Sequence, residues 1–247
     1  MTDALGWRAK FGVLGPSTNT IVQPDFDDMR PVGVTNHYSR IFTPNAAAVS
    51  NESFMAGTSV IAGNVMDAVD SAMTCLPSYF VMGMSAVTFI GGAAGADAFE
   101  KSIVDRTGLG VSMGSAATAA ALRAYGANRV AFLSPYFPAA NAHVRQYLHD
   151  VGFTVVRDMC LQSPSWTGIA EVQPKDLIGC LKDLDGDDVD AIVQVGTNLS
   201  MARLAAAAEL FLGKPVIAIN TATYWHALRS NGIADKKAGF GQLLERF

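Results

Sequence analysis

Short runs of β-branched and other apolar residues alternate along the chain with longer stretches of helical periodicity. The runs fall at 11–14, 31–36, 79–82, 110–112, 129–133, 154–159, 191–195 and 216–219. Several are apolar at every position, the pattern of strands covered on both faces. Helical patterns fill the gaps. The longest spans 46–73, with Phe54, Val60, Ile61, Val65 and Val69 on one face. Others span 93–106, 115–125 behind the capping Ser115, and 139–151 before Gly152. Three more span 174–183 opened by Pro174, 200–211 before Gly213, and 221–230 before Gly232. This alternation predicts an α/β fold with parallel sheets and crossover helices.

The pattern also echoes itself. One strand runs into Gly15-Pro16-Ser17-Thr18-Asn19, and a later one runs into Ser134-Pro135-Tyr136-Phe137-Pro138. Two pseudo-symmetric Rossmann-like domains facing each other would give this echo. Their ligand cleft would lie beyond the carboxyl ends of the strands. The expected boundaries are 1–113 plus 216–247 for the first domain and 114–215 for the second. A crossover would return the last strand and helix to the first.

Composition narrows the function classes. The 247 residues are 50% hydrophobic and 16% charged, with a formal net charge of −4. That is a globular composition with no basic stripe, so nucleic acid is excluded as a partner. No apolar run is long enough to span a bilayer and the first residues lack a signal-peptide core, so a cytoplasmic location is expected. Cys75, Cys160 and Cys180 are an odd count without close spacing, which argues against a disulfide framework. His37, His143, His149 and His226 form no metal-binding pattern, and no phosphate-loop or dinucleotide motif is present. No cofactor and no metal are expected. The fold class is compatible with a homo-oligomer.

Candidate chemistry sits in four loops after strand ends: Pro16 to Thr20, Gly83 to Thr88, Ser134 to Tyr136, and Gly196 to Ser200. Their hydroxyls, amides and backbone N–H groups can hold a carboxylate without arginine and stabilise a developing enolate. The candidate binding residues are Ser17, Thr18, Asn19, Ala86, Val87, Thr88, Gly196, Asn198 and Leu199. The candidate catalytic residues are Tyr136, Ser85 and Thr197. Each has a competing role, because Ser, Thr and Asn are also ordinary caps and a tyrosine can simply pack its ring. His37 and Arg40 end the second strand and read best as a surface ion pair, while His226 beside Trp225 reads as packing. Met82, Met84, Phe89 and Trp166 are candidates for an apolar side pocket, with core packing competing for the first two.

The loops resemble the aspartate/glutamate racemase superfamily, in the branch of maleate cis-trans isomerases and arylmalonate decarboxylases. Gly15-Pro16-Ser17-Thr18-Asn19-Thr20 is similar to that branch's P-S-S-N-T loop, and His37-Tyr38-Ser39-Arg40 to its H-S-S-R segment. Ser134-Pro135-Tyr136 resembles its A/T-P-Y loop. Gly196-Thr197-Asn198-Leu199, followed by Gly213-Lys214-Pro215-Val216, resembles its C-T-N-L…G-K-P-V end. The resemblance implies cofactor-free chemistry at the carbon next to a carboxylate, carried by one or two cysteines. Those two positions correspond to Ala86 and Gly196 here, and none of the three cysteines falls at either.

A serine or threonine hydroxyl replaces a thiol only with an activating base. The leading expectation is therefore a lyase or decarboxylase of a small (di)carboxylic acid that works through a hydrogen-bonded enolate, with Tyr136 or a water supplying the proton. The alternatives are a maleate-like cis-trans isomerase, a hydrolase using Ser85 or an activated water, and a carboxylate-binding protein without turnover.

Overall fold

A computed structural model describes residues 3–247. Two four-stranded parallel sheets form its frame. The first holds β1 (Ala9–Pro16), β2 (Val34–Ile41), β3 (Tyr79–Met82) and β4 (Val111–Ser112) in the order β2-β1-β3-β4. The second holds β5 (Arg129–Ser134), β6 (Thr154–Cys160), β7 (Ala191–Gln194) and β8 (Val216–Ala218) in the order β6-β5-β7-β8. Counted within each sheet the order is the same, 2-1-3-4, so the echo between Pro16 and Pro135 reflects a repeated topology. The central strands are apolar through their middle positions because helices cover both faces: Val130, Ala131, Phe132 and Leu133 of β5 are all fully buried.

Two strands depart from their expected places. β2 starts three residues later than the apolar run at 31–36, because Gly33 turns the chain at a positive φ of 85°. The strand itself is largely polar, as an edge strand can be. β8 pairs with β7 through Ile192 and Val216, so it belongs to the second sheet. The expectation that the chain returns to the first half at Val216 is corrected by this pairing. The return to the first half begins with the next helix and continues beyond it, where Asp235 pairs with Arg8.

That helix, α9 (Ile219–Ser230), is buried along nearly its whole length and packs on α5 (Gly114–Tyr125), β3 and β4. The long pattern at 46–73 resolves into α2 (Asn51–Gly63) and α3 (Val65–Met73), broken at Asn64. Ser50 and Ser53 close α2 with reciprocal capping bonds. α1 (Val22–Met29) was not expected, although Val22, Phe26 and Met29 mark its buried face. The remaining long helices, α4 (Gly92–Thr107), α6 (Pro138–Asp150), α7 (Pro174–Leu184) and α8 (Ala202–Leu212), match their patterns closely. A short α10 (Gln242–Arg246) follows. Among the described residues, no helix is long and apolar enough to cross a membrane.

The halves are joined over the cleft by the segment entering α2. Ala47 bridges Ser165, and Ala48 N–H donates to the Pro164 carbonyl at 2.9 Å. Asn51 Oδ1 accepts from Ala139 N–H at 2.8 Å. Phe54 then sets its ring 5.3 Å from Tyr136, 5.9 Å from Phe137 and 4.9 Å from Trp166. This aromatic cluster backs the walls of the cleft as well as the core. Phe54→Ala is expected to lower unfolding stability by about 3–5 kcal/mol in urea titrations, because a fully buried ring is lost from a rigid cluster.

Candidate active site

In each sheet the chain leaves the central strand in opposite directions to reach its two neighbours, which opens a crevice at the carboxyl ends. The loops after β1, β3, β5 and β7 meet there and enclose a cavity of about 40 Å³, room for roughly three waters. Thr18, Asn19, Ser85, Ala86, Tyr136, Gly196, Thr197 and Asn198 line it, joined by Met84 and Trp166. Pro16, Ile61 and Ile169 also line it and were not singled out in the sequence as site residues. Ile61 looks like any core position of an amphipathic helix, and Ile169 sits in a one-turn helix (Gly168–Glu171) with no pattern of its own.

Six expected residues lie elsewhere. Ser17 is exposed, and its hydroxyl accepts from Thr43 N–H at 2.9 Å. Thr88 is buried behind the loop, where its hydroxyl donates to the Ser85 carbonyl and accepts from Ser115 N–H. Val87, Leu199 and Phe89 pack into the core, as does Met82. Arg40 makes no ion pair among the described residues; it donates to the Asn19 carbonyl at 2.8 Å and braces the first loop. His37 pairs with Thr35 at 2.9 Å, and His226 with Ser112 at 2.7 Å, both outside the cavity lining.

The chemistry converges on two hydroxyls. Ser85 Oγ and the Tyr136 hydroxyl lie 2.6 Å apart, and Gly196 N–H donates to Ser85 Oγ at 3.1 Å. Two hydroxyls carry two protons, and the bond between them uses one. Whichever group donates, the other keeps a proton free for a ligand. Burial pushes the Tyr136 phenol well above its usual range, partly offset by its bond to Ser85. Tyr136 is therefore a neutral proton donor here and a poor base.

The amide and hydroxyl side chains serve mainly to register the loops. Asn19 Oδ1 accepts from Ile21 and Val22 N–H, both at 2.9 Å, which turns the chain into α1. Asn19 Nδ2 donates to Thr197 Oγ1 at 3.1 Å, and Thr197 donates onward to the Gly83 carbonyl at 2.9 Å. Asn198 accepts from Thr20 N–H at 3.0 Å and donates to the Trp166 carbonyl at 2.9 Å. The N–H groups of Ala86, Thr197 and Asn198 donate to no protein group among the described residues, and all three residues line the cavity. Among the described residues, no ionisable carboxylate, amine, imidazole or thiol is in the lining. Cys75, Cys160 and Cys180 sit on helix ends, strand edge and helix surface away from it, and burial pushes the Cys160 thiol up to about 11. An anion here would be held by dipoles and hydroxyls, which act strongly in a dry pocket.

Fold and site together define a two-domain racemase-like α/β protein with its cavity between matching sheets. The chain belongs to the arylmalonate decarboxylase family, whose sequence model matches residues 24–244. A maleate isomerase from Nocardia farcinica is 24% identical over 248 residues, covering 96% of each chain. One from Geobacillus stearothermophilus is 29% identical over 125 residues, covering 50% of this chain and 49% of that protein. Among solved structures, the Nocardia farcinica maleate cis-trans isomerase, as a cysteine-to-serine variant with a covalently bound succinylcysteine intermediate, superposes with a TM-score of 0.86. It is 24% identical and covers 96% of this chain and 98% of its own. An arylmalonate decarboxylase superposes with a TM-score of 0.75 at 21% identity, covering 95% of this chain and 98% of its own.

Gly196 is where backbone and chemistry meet. Its φ is +104°, and a β-carbon there would collide with the Pro135 ring. Gly196→Ala is expected to cost about 2–4 kcal/mol of stability, because strain and overpacking combine. Gly126→Ala, also at positive φ but in open space, should cost only about 1 kcal/mol in the same urea titration.

Proposed function

We propose that the protein is a decarboxylase of small malonate-type dicarboxylic acids that uses no thiol. The observation that carries this reading is the Ser85–Tyr136 hydroxyl pair, fastened by Gly196 N–H, in a cavity lined by no cysteine. One carboxylate of the substrate is held by the N–H groups of Ala86, Thr197 and Asn198. The other faces the apolar wall of Ile61, Met84, Trp166 and Ile169. A charge disfavoured there leaves as CO2, which the same wall accepts readily.

Cleavage of that C–C bond leaves its electron pair on the remaining fragment as an enediolate, stabilised by the N–H groups and hydroxyls. The α-carbon then takes a proton from the hydroxyl pair, and water reprotonates the pair. A tyrosine kept neutral by burial suits this donor role. The cavity volume favours acids with a small substituent.

The other readings have less support. The Nocardia farcinica isomerase carries its intermediate on a cysteine, and no thiol lines this cavity. A hydrolase needs a base for Ser85, and His37 is engaged with Thr35 outside the cavity lining.

Incubation with malonate, methylmalonate and maleate in D2O, followed by NMR, tests the proposal. The expected result is loss of CO2 from a malonate with one deuteron placed at its α-carbon, and no fumarate from maleate. Conversion of maleate to fumarate, or tight binding of the acids with no product, would overturn it. Tyr136→Phe should lower kcat by about 100-fold or more as the proton donor is lost. Because the phenol is raised, activity should show no alkaline limb below about pH 10, the ordinary tyrosine value. Alkylation of all three cysteines with iodoacetamide should leave kcat within about twofold, since none lines the site.

A further inference from the structure

Asn220 is the second residue of α9 and is 2% exposed. Its Nδ2 group donates twice, to Asp25 Oδ2 of α1 at 2.8 Å and to the Thr197 main-chain carbonyl at 3.0 Å. Its Oδ1 is buried without a partner. A buried amide with one end doubly used and the other idle is held for what the used end does.

In a trans peptide the carbonyl of one residue and the N–H of the next point in opposite directions. The Thr197 carbonyl and the Asn198 N–H belong to one such unit. Asn220 draws the carbonyl toward α9, so the N–H is turned to the opposite side. Asn198 lines the cavity, and its N–H donates to no protein group among the described residues. The side chain of Asn198 is separately fixed by Thr20 and Trp166, which leaves the peptide plane as the remaining freedom.

Asp25 explains why the amide keeps this orientation. A flipped Asn220 would set Oδ1 against both the Asp25 carboxylate and the Thr197 carbonyl, two contacts between acceptors. We propose that Asp25 and Asn220 are positioning residues that aim the Asn198 N–H at the substrate carboxylate. The assignment of a carboxylate rests on the reading given under Proposed function; the aiming of the peptide does not.

The charges acting on Asp25 are Asp28 from its own helix and Arg203 from α8; α9 contributes the neutral Asn220, and β2 no charge that bears on it. Burial, only partly offset by the Asn220 bond, raises the Asp25 carboxyl to about 6. Above that pH the ionised carboxylate excludes the flipped amide. Below it the protonated acid can donate to Oδ1, and only the Thr197 carbonyl still opposes the flip.

The experiment follows the Asn198 backbone amide by ¹⁵N NMR in the ligand-free protein, alongside malonate binding and turnover. In the wild type that resonance should titrate with a midpoint of about 6, and in Asp25→Asn it should not. In Asn220→Ala it should shift at every pH. Malonate should bind about tenfold more weakly to Asn220→Ala and Asp25→Ala, the loss expected for one hydrogen bond to a charged group. KM should rise and kcat should fall by about threefold or more, since the same N–H holds the carboxylate and stabilises the enediolate that grows on it. Asp25→Asn, which presents a donor as the protonated acid does, should bind malonate at every pH as the wild type does below about pH 6. An Asn198 amide unmoved in Asn220→Ala and flat with pH, in variants with native circular dichroism, would overturn the proposal. Wild-type protein that turns over no malonate would instead refute the decarboxylase reading and leave the amide measurement to decide this one.

Discussion

Ser85 Oγ accepts a hydrogen bond from the Gly196 N–H across the cleft at 3.1 Å and stands 2.6 Å from the Tyr136 hydroxyl. These contacts fasten the loop after β3 to the loops after β5 and β7. They require Gly196 to adopt a φ of +104° close against Pro135, a conformation and a clearance that a side chain would forbid. Around this joint, Asn19, Thr197 and the Gly83 carbonyl form a second tie between the loops after β1, β7 and β3. The cleft is thus closed by neutral polar bonds, and the hydrogen-bonding capacity left over is what a ligand meets.

That remainder has a definite chemical character. It consists of one hydroxyl proton, a few backbone N–H groups, and an apolar wall, with no ionised side chain in the lining. Such a site can hold a carboxylate and deliver a proton, but it has no strong base or nucleophile of its own. Proton delivery after spontaneous departure of CO2 asks for just these parts, whereas racemisation and thiol addition ask for more. The structural neighbours share the frame, and the difference in chemistry lies in a handful of lining atoms.

Much of the frame was legible in the sequence. Apolar runs such as Tyr79–Met82 and 191–193 marked central strands, because both of their faces are buried. β2 was misplaced because an edge strand carries polar residues, and β8 because pairing partners leave no trace in a three-residue strand. The short α1 was hidden by Pro24 and three aspartates, although its buried face had helical spacing.

The site was legible in part, for a reason rooted in the residues themselves. Ser, Thr and Asn serve both as caps and as binding groups, and sequence cannot divide the roles. Thr88 and Ser17 turned out to brace loops, while Ser85, three residues before Thr88, faces the cavity. Ile61 and Ile169 carry no chemical signal and still shape the apolar wall. The most direct measurement of the central claim is a crystal structure with a slowly reacting substituted malonate bound. The account predicts the α-carbon within about 3.5 Å of the Tyr136 or Ser85 oxygen, with one carboxylate on the Thr197 and Asn198 N–H groups. An α-carbon turned to the apolar wall, or a ligand bound outside this cavity, would contradict it.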